Sequence, residues 1–245
     1  LVFSFPIVLL LLIRGGNMSD TLKEKTVYIL KGIIVMLLFF NSNYIKLFFA
    51  TILNIKIKNI SNLNYLILTI LSNIVLSFIF YLIYRKELKK DFNTFKGNFN
   101  KCFDSGLKYW LIGLSIMVIA NILIAMFTPL SNSTNEKSVQ SLIPTSPALM
   151  FIAAGIFAPI IEEITFRKTF QTIFKNKWTF ALISFLVFGY IHVMNSNNPL
   201  ELLYIVPYGS LGLVFALTDY ETNTVFTSIM MHMIHNSMLI ILSLL

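Results

Sequence analysis

From Leu63 to Tyr84 the chain carries no charged side chain, and comparable apolar runs recur along its 245 residues. A helix needs roughly 20 predominantly apolar residues to cross the hydrocarbon core of a bilayer. Hydrophobic residues make up 56% of the chain and charged residues 12%, with a mean hydropathy of +0.77. An average soluble domain is about 25% charged. The sequence therefore predicts an all-α fold, a polytopic membrane helical bundle of about seven transmembrane helices.

Taken in order, residues 1–17 precede the first methionine, Met18. Their apolar part ends at Ile13, too short to span, and lacks the basic start of a signal peptide. Arg14-Gly15-Gly16 reads as the translation of a purine-rich ribosome-binding site. This predicts Met18 as the natural start and residues 1–17 as a non-native extension. Val27 to Phe40 is apolar, and the stretch after it reads equally as one long helix or as a span followed by an interfacial segment. Leu63 to Tyr84 is the second span. Residues 85–104 hold the most basic stretch, with Leu88, Phe92, Phe95 and Phe99 at helical spacing. They predict a helix on the inner leaflet, and the positive-inside rule makes this loop cytoplasmic.

Tyr109 to Phe127 is the third span, followed by the polar loop Thr128 to Ser146. Pro147 opens the fourth, which ends before Lys175 and Lys177 at the cytoplasmic side. Phe180 to Val193, Leu200 to Leu217 and Val225 to Leu245 complete the seven. In the sixth, Pro207, Gly209 and Gly212 predict bending and close packing. The amino end is then inside and the carboxyl end outside, in the cytoplasmic membrane. Residues 18–147 form an amino-terminal set of helices and 148–245 the catalytic core. The net charge of +8 lies beside apolar segments, so nucleic acid is not an expected partner. A single cysteine, Cys102, excludes a disulfide framework and a Cys-based zinc site. It flanks the basic helix, where palmitoylation is conceivable.

The chemistry gathers after residue 155. Glu162 and Glu163 sit within the apolar run Gly155 to Arg167, and an acid at bilayer depth normally faces a protein interior or a wet cavity. The bland reading is a helix end at the membrane surface, where such residues meet water. At 100° per residue Glu163 and Arg167 share a helix face, which leaves Glu162 on a neighbouring one. Phe188 shares a face with His192, and His232 with Asn236. A lone membrane histidine is more often a packing group than a catalyst, but here three helices each bring a polar group to about mid-depth. His235 lies off the His232–Asn236 face and reads as packing. Asp219 and Glu221 read as solvated residues of a short loop.

Glu162-Glu163-Ile-Thr-Phe-Arg167, Phe188-Gly189-Tyr-Ile-His192 and His232-Met-Ile-His-Asn236 match in order the patterns EExxxR, FxxxH and HxxxN. In these, residues 148–240 resemble the CPBP intramembrane proteases, the CAAX proteases and bacteriocin-processing enzymes also called the Abi family. They are similar to the type II CAAX prenyl endopeptidases. Where that family usually has a small residue after the arginine, this chain has Lys168.

The resemblance implies an intramembrane endopeptidase acting near the cytoplasmic leaflet. Glu162 would be the general base on water, helped by His192. His232 and Asn236 would donate to the oxyanion, and Glu163 with Arg167 would be a structural pair supported by Phe188. A second reading makes Glu162, His192 and His232 ligands of a catalytic zinc, a cofactor some family labels imply. The spacing is not that of a zinc-binding HExxH helix, and the water-activating glutamate accounts for all four residues, so no cofactor is the preferred expectation. The expected substrate is a peptide or membrane-anchored protein. Asn-, Ile-, Lys- and Phe-rich usage points to a low-GC bacterium and to precursor or leader peptides. Two other classes stand beside this one. A non-catalytic scaffold of the same fold would have no reason to keep the whole polar set. A proton-relay transporter should show inverted repeats or paired broken helices, and no internal repeat is visible.

Overall fold

The computed structural model describes residues 20–245, so the expected extension at 1–17 and the start at Met18 lie outside the described residues. Every regular element described is helical. In chain order they are α1 (Asp20–Phe40), α2 (Ser42–Ile52), α3 (Asn62–Ile83), α4 (Arg85–Gly97), α5 (Phe99–Phe127) and α6 (Thr134–Leu142). They continue with α7 (Pro147–Ile173), α8 (Lys177–Ile191), α9 (Ile205–Thr222) and α10 (Val225–Leu242). A 3-10 segment, Pro199–Tyr204, leads into α9.

Each of the seven expected apolar segments is helical, and the protein is a multi-pass integral membrane protein. The count by length is smaller than seven. Among the described residues five helices are long and apolar enough to cross a membrane, or six if the pair α1–α2, bent by 50°, forms one span. The expected fifth span, α8, has 15 residues and a length of about 22 Å, less than a hydrocarbon core of about 30 Å. Asn41 decides the ambiguous stretch after α1. It leaves the helical region at φ −103°, ψ 16°, and its amide bonds the Leu37 carbonyl. Side chains such as Phe78, Ile119, Met126 and Phe127 stand exposed along the spans, as expected of a surface that meets lipid tails.

The basic helix also differs from expectation. It ends at Gly97, and the residues to 104 begin the 29-residue α5 instead. Nor does it only rest on the membrane surface. Leu88 and Asp91 are buried, and Asp91 accepts two bonds from the Lys168 ammonium at 2.8 and 2.9 Å and one from the Val225 amide at 3.1 Å. One carboxylate thereby ties α4 to α7 and caps the start of α10. Lys168, the departure from the family pattern, is the partner of that carboxylate. Cys102 is buried, at 1% exposure, and so is not open to acylation in this fold.

Helices α8 and α9 pack closely through small residues, as expected for the sixth span. A methyl at Gly212 would meet the Ser184 carbonyl at 2.6 Å, and one at Gly189 the Ile205 carbonyl at 2.5 Å. The core beside them is aromatic: Phe166, Phe170, Phe180, Phe188 and Phe215 with Trp110 and Met231. The bundle has two distinct ends. Basic α4 and Lys175 and Lys177 lie at one, where α5 and α10 begin; α6 lies at the other, where both finish.

Candidate active site

α7 is not a uniform α-helix. It runs as π-helix over Phe151–Phe157 and again over Glu163–Lys168. In the first stretch the Ala158 amide donates to Ala153, five residues back. The next donor in that pattern would be residue 159 to Ala154, but Pro159 has no N–H. The freed Ala154 carbonyl is taken by the Asn236 amide at 2.9 Å. A proline in α7 thus fixes an asparagine on α10, and the second amide hydrogen of Asn236 stays available.

In the second π stretch both side chains of the ion pair are wholly buried. The Glu163 carboxylate lies 3.1 Å from Arg167 Nε and accepts from His232 Nδ1 at 2.7 Å. The guanidinium lies 4.1 Å from the centre of the Phe188 ring and 5.7 Å from that of Phe215. Its terminal amino groups have no acceptor among the described residues, so ring faces and one carboxylate hold the charge. The ring of Phe188 also packs against His192 at 4.5 Å and His232 at 5.7 Å. The His192 Nδ1–H donates to the Phe188 carbonyl at 2.7 Å, one turn back.

Two tautomers follow from these bonds. A carboxylate and a carbonyl only accept, so both Nδ1 atoms carry protons, and in the neutral rings both Nε2 atoms are acceptors. His232 Nε2 sits 3.9 Å from Glu162 Oε2. Two acceptors facing each other call for a proton or a water between them.

Glu162, Phe188, His192, His232 and Asn236 all line one cavity of about 500 Å³. Glu163 and Arg167 stand behind it and carry the frame. His235 lines it too, with Nδ1 accepting from the Trp110 indole at 3.3 Å, which fits its expected packing role. The ligands of the alternative zinc reading, Glu162, His192 and His232, share the cavity wall. Among the described residues, however, no three His, Cys, Asp or Glu side chains are grouped to hold a metal ion.

The cavity extends from Glu162 to α6, away from the basic end of the bundle. The cavity thus lies toward the end of the bundle opposite the basic one. Asp219 differs from expectation. It is buried inside α9 and accepts from the Ser228 amide and hydroxyl at 3.2 and 2.8 Å, joining α9 to α10. Glu221 is exposed as expected, though it accepts from Ser105 and Tyr109.

Sequence reasoning missed α6 and what holds it. Ser133 caps α6 by accepting from the Glu136 amide at 3.0 Å, the signature S-x-x-E visible in the expected loop. The Thr134 amide and hydroxyl donate to the buried Glu201 carboxylate at 2.9 and 2.6 Å. Tyr208 joins this roof to the site: its hydroxyl pairs with Ser133 at 2.7 Å and its ring stacks on His192, 4.4 Å between centroids and 19° between planes. No local pattern marks Tyr208. If the stack orients His192, Tyr208→Leu should lower turnover about 3–10-fold, the worth of one aromatic pair. Tyr208→Phe should keep most activity; equal losses in kcat for the two variants would assign the effect to the Ser133 bond instead.

Residues 144–238 match the sequence model of the family "Type II CAAX prenyl endopeptidase Rce1-like". This bears out the resemblance drawn from the three motifs. Among curated proteins the chain is 31% identical over 150 residues to "Putative membrane peptidase YdiL" of Bacillus subtilis (strain 168), covering 54% of this chain and 58% of that protein. It is 29% identical over 142 residues to "UPF0177 protein YbdI" of Lactococcus lactis subsp. lactis (strain IL1403), covering 54% and 74%. "UPF0177 protein YaiH" of the same strain is 28% identical over 157 residues, covering 56% and 63%. No solved structure matches the chain significantly.

Proposed function

We propose that this chain, with its Rce1-like segment at 144–238, is an intramembrane endopeptidase using water activated by Glu162 and His192. What supports this reading most is the convergence of Glu162, His192, His232 and Asn236, from the two helices α7 and α10 and the end of a third, α8, on a single cavity. At family level the matched family and the peptidase name of one relative point to the same class.

In this reading Glu162 takes a proton from a water as its oxygen attacks the scissile carbonyl, and His192 Nε2 accepts the second hydrogen of that water. The oxyanion accepts from the free amide hydrogen of Asn236. His232 joins as a donor only when Nε2 also carries a proton. The imidazolium would then lie between Glu162 and Glu163, and with Arg167 the cluster would balance two negative charges against two positive. The proton held by Glu162 passes to the leaving amine as the carbon–nitrogen bond breaks. No step is routed through zinc, because the proposed ligands are not grouped as a set. The substrate is a peptide or membrane-anchored protein within a bacterial cytoplasmic membrane, and nucleic acid has no part.

Two measurements test this. Peptides in the membrane and medium, compared between cells with and without the intact protein, should differ in a defined set of cleaved products. With one such product as assay, activity should survive exhaustive treatment with a strong chelator, and Asn236→Ala should cost about 10²–10³ in rate. Chelation that ends activity, with zinc restoring it, would overturn the metal-free mechanism. A peptide profile unchanged by loss of the protein favours the scaffold reading.

A further inference from the structure

The α6 half of the cavity is chemically unlike the half that holds the histidines. Asn121, Asn132, Asn135 and Gln140 present side-chain amides there, and Glu136 is the single carboxylate among them. Among the described residues no lysine or arginine lines the cavity, so with its histidines neutral the two carboxylates exposed to it, Glu136 and Glu162, give it one sign of charge. Glu162 already faces His232, at 3.9 Å. Glu136 has no cationic partner among the described residues. One of its oxygens accepts from Gln140 at 2.9 Å, and the other has no hydrogen-bond donor among the described residues.

The ordinary use of a glutamate three residues after a capping serine is to reach back to the amide of that serine. Here the backbone half of the motif forms, Glu136 N–H to Ser133 Oγ, but the carboxylate turns the other way, along α6 to Gln140. Half-buried and without a counter-charge, the carboxyl is raised above its ordinary value, chiefly by burial and against the bond from Gln140. The helix that carries it is held firmly, by Glu201 on Thr134 and by Tyr208 on Ser133, so the carboxylate is presented from a fixed wall.

We propose that Glu136 is a subsite for one positively charged group of an extended peptide, either a lysine or arginine side chain or a free amino terminus. The surrounding amides would pair with the peptide backbone, each supplying both a donor and an acceptor. A cationic group bound at Glu136 lies in the same cavity as Glu162, His192 and Asn236 and so sets which peptide bond reaches them. The inference rests on the peptidase reading for its purpose, but it is a statement about binding and is tested without cleavage.

The test uses the full chain in detergent micelles, in wild-type and Glu162→Gln forms. The probes are fluorescent nonapeptides with an uncharged polar and apolar sequence. One series is acetylated with a single lysine scanned through each position, a second has norleucine in its place, and a third has norleucine with a free amino terminus. At least one cationic series should bind about tenfold tighter than its norleucine control, the value of one charge-assisted contact of about 1.4 kcal/mol. Which series shows it identifies the source of the charge. Glu136→Gln should erase the preference and Glu136→Lys reverse it toward aspartate-bearing probes, while Glu162→Gln leaves it in place. Equal binding of all series, no binding by any, or a preference that survives Glu136→Gln would overturn the proposal. So would a Glu136→Gln protein that melts earlier with its charge preference intact, since Glu136 would then serve only the start of α6. Preferential binding without cleavage by wild-type protein would sink the peptidase reading alone; cleavage without charge preference would sink the subsite alone.

Discussion

Glu162→Gln abolishes peptide cleavage and leaves the protein in the membrane at its normal level: this is the expected result with the largest effect on activity. The amide keeps the size of the carboxylate but cannot take a proton from water. General-base catalysis is worth about 10²–10⁴ in rate, and the loss should reach that range. The fold should not notice. The Glu162 side chain is partly exposed to the cavity, and the nearest ring nitrogen, His232 Nε2, stands 3.9 Å away, beyond hydrogen-bond range. Glu162→Ala should match the glutamine variant in rate. His192→Ala should also lose cleavage while accumulating normally, since its ring is held by one backbone carbonyl and two aromatic contacts at the end of α8. A glutamine variant that still cleaves would remove Glu162 from the role of base.

The largest expected effect on stability belongs to Arg167. Its side chain is fully buried, and so is its partner Glu163. Arg167→Ala leaves a carboxylate in the interior with only His232 to balance it, and stranding one member of a buried pair costs about 3–5 kcal/mol. Arg167→Lys should recover little of this. An ammonium does not spread over the ring of Phe188, which the guanidinium meets at 4.1 Å. The double change Glu163→Gln, Arg167→Met should cost less than the sum of the single ones, because no unpaired charge is left behind. Melting of the purified wild-type, single-variant and double-variant proteins in detergent measures these costs. An Arg167→Ala protein that melts with the wild type would show that the charge is not carried by this pair. Activity should fall along with stability, since Glu163 also fixes the Nδ1 proton of His232.

What the sequence determined by itself is what short-range periodicity can encode. Apolar run length requires helices in a bilayer, and the basic residues beside the runs order their ends. Spacing of four placed Glu163 on Arg167 and His192 on Phe188, because a helix brings those pairs together whatever surrounds them. The three ordered motifs named the residues that gather in the cavity.

Tertiary structure decided everything that depends on two distant segments meeting. Nothing local shows that His232 would bond Glu163, 69 residues away, or that Lys168 would find Asp91, 77 residues away. The latter pair turned a departure from the family pattern into the tie between α4 and α7. Asp219 reads as solvated because its neighbours in sequence are polar, yet α10 covers it and supplies both its donors. The cavity lies at the α6 end for the same reason: charge orders the first two-thirds of the chain, no basic residue follows Lys177, and where the bundle is hollow depends on how distant helices pack. That packing runs through Gly189 and Gly212, where an added methyl would meet backbone carbonyls at 2.5 and 2.6 Å, and through a proline-freed carbonyl that captures Asn236. Contacts of that kind are set by shape in three dimensions, for which a linear pattern of apolar and charged residues has no symbol.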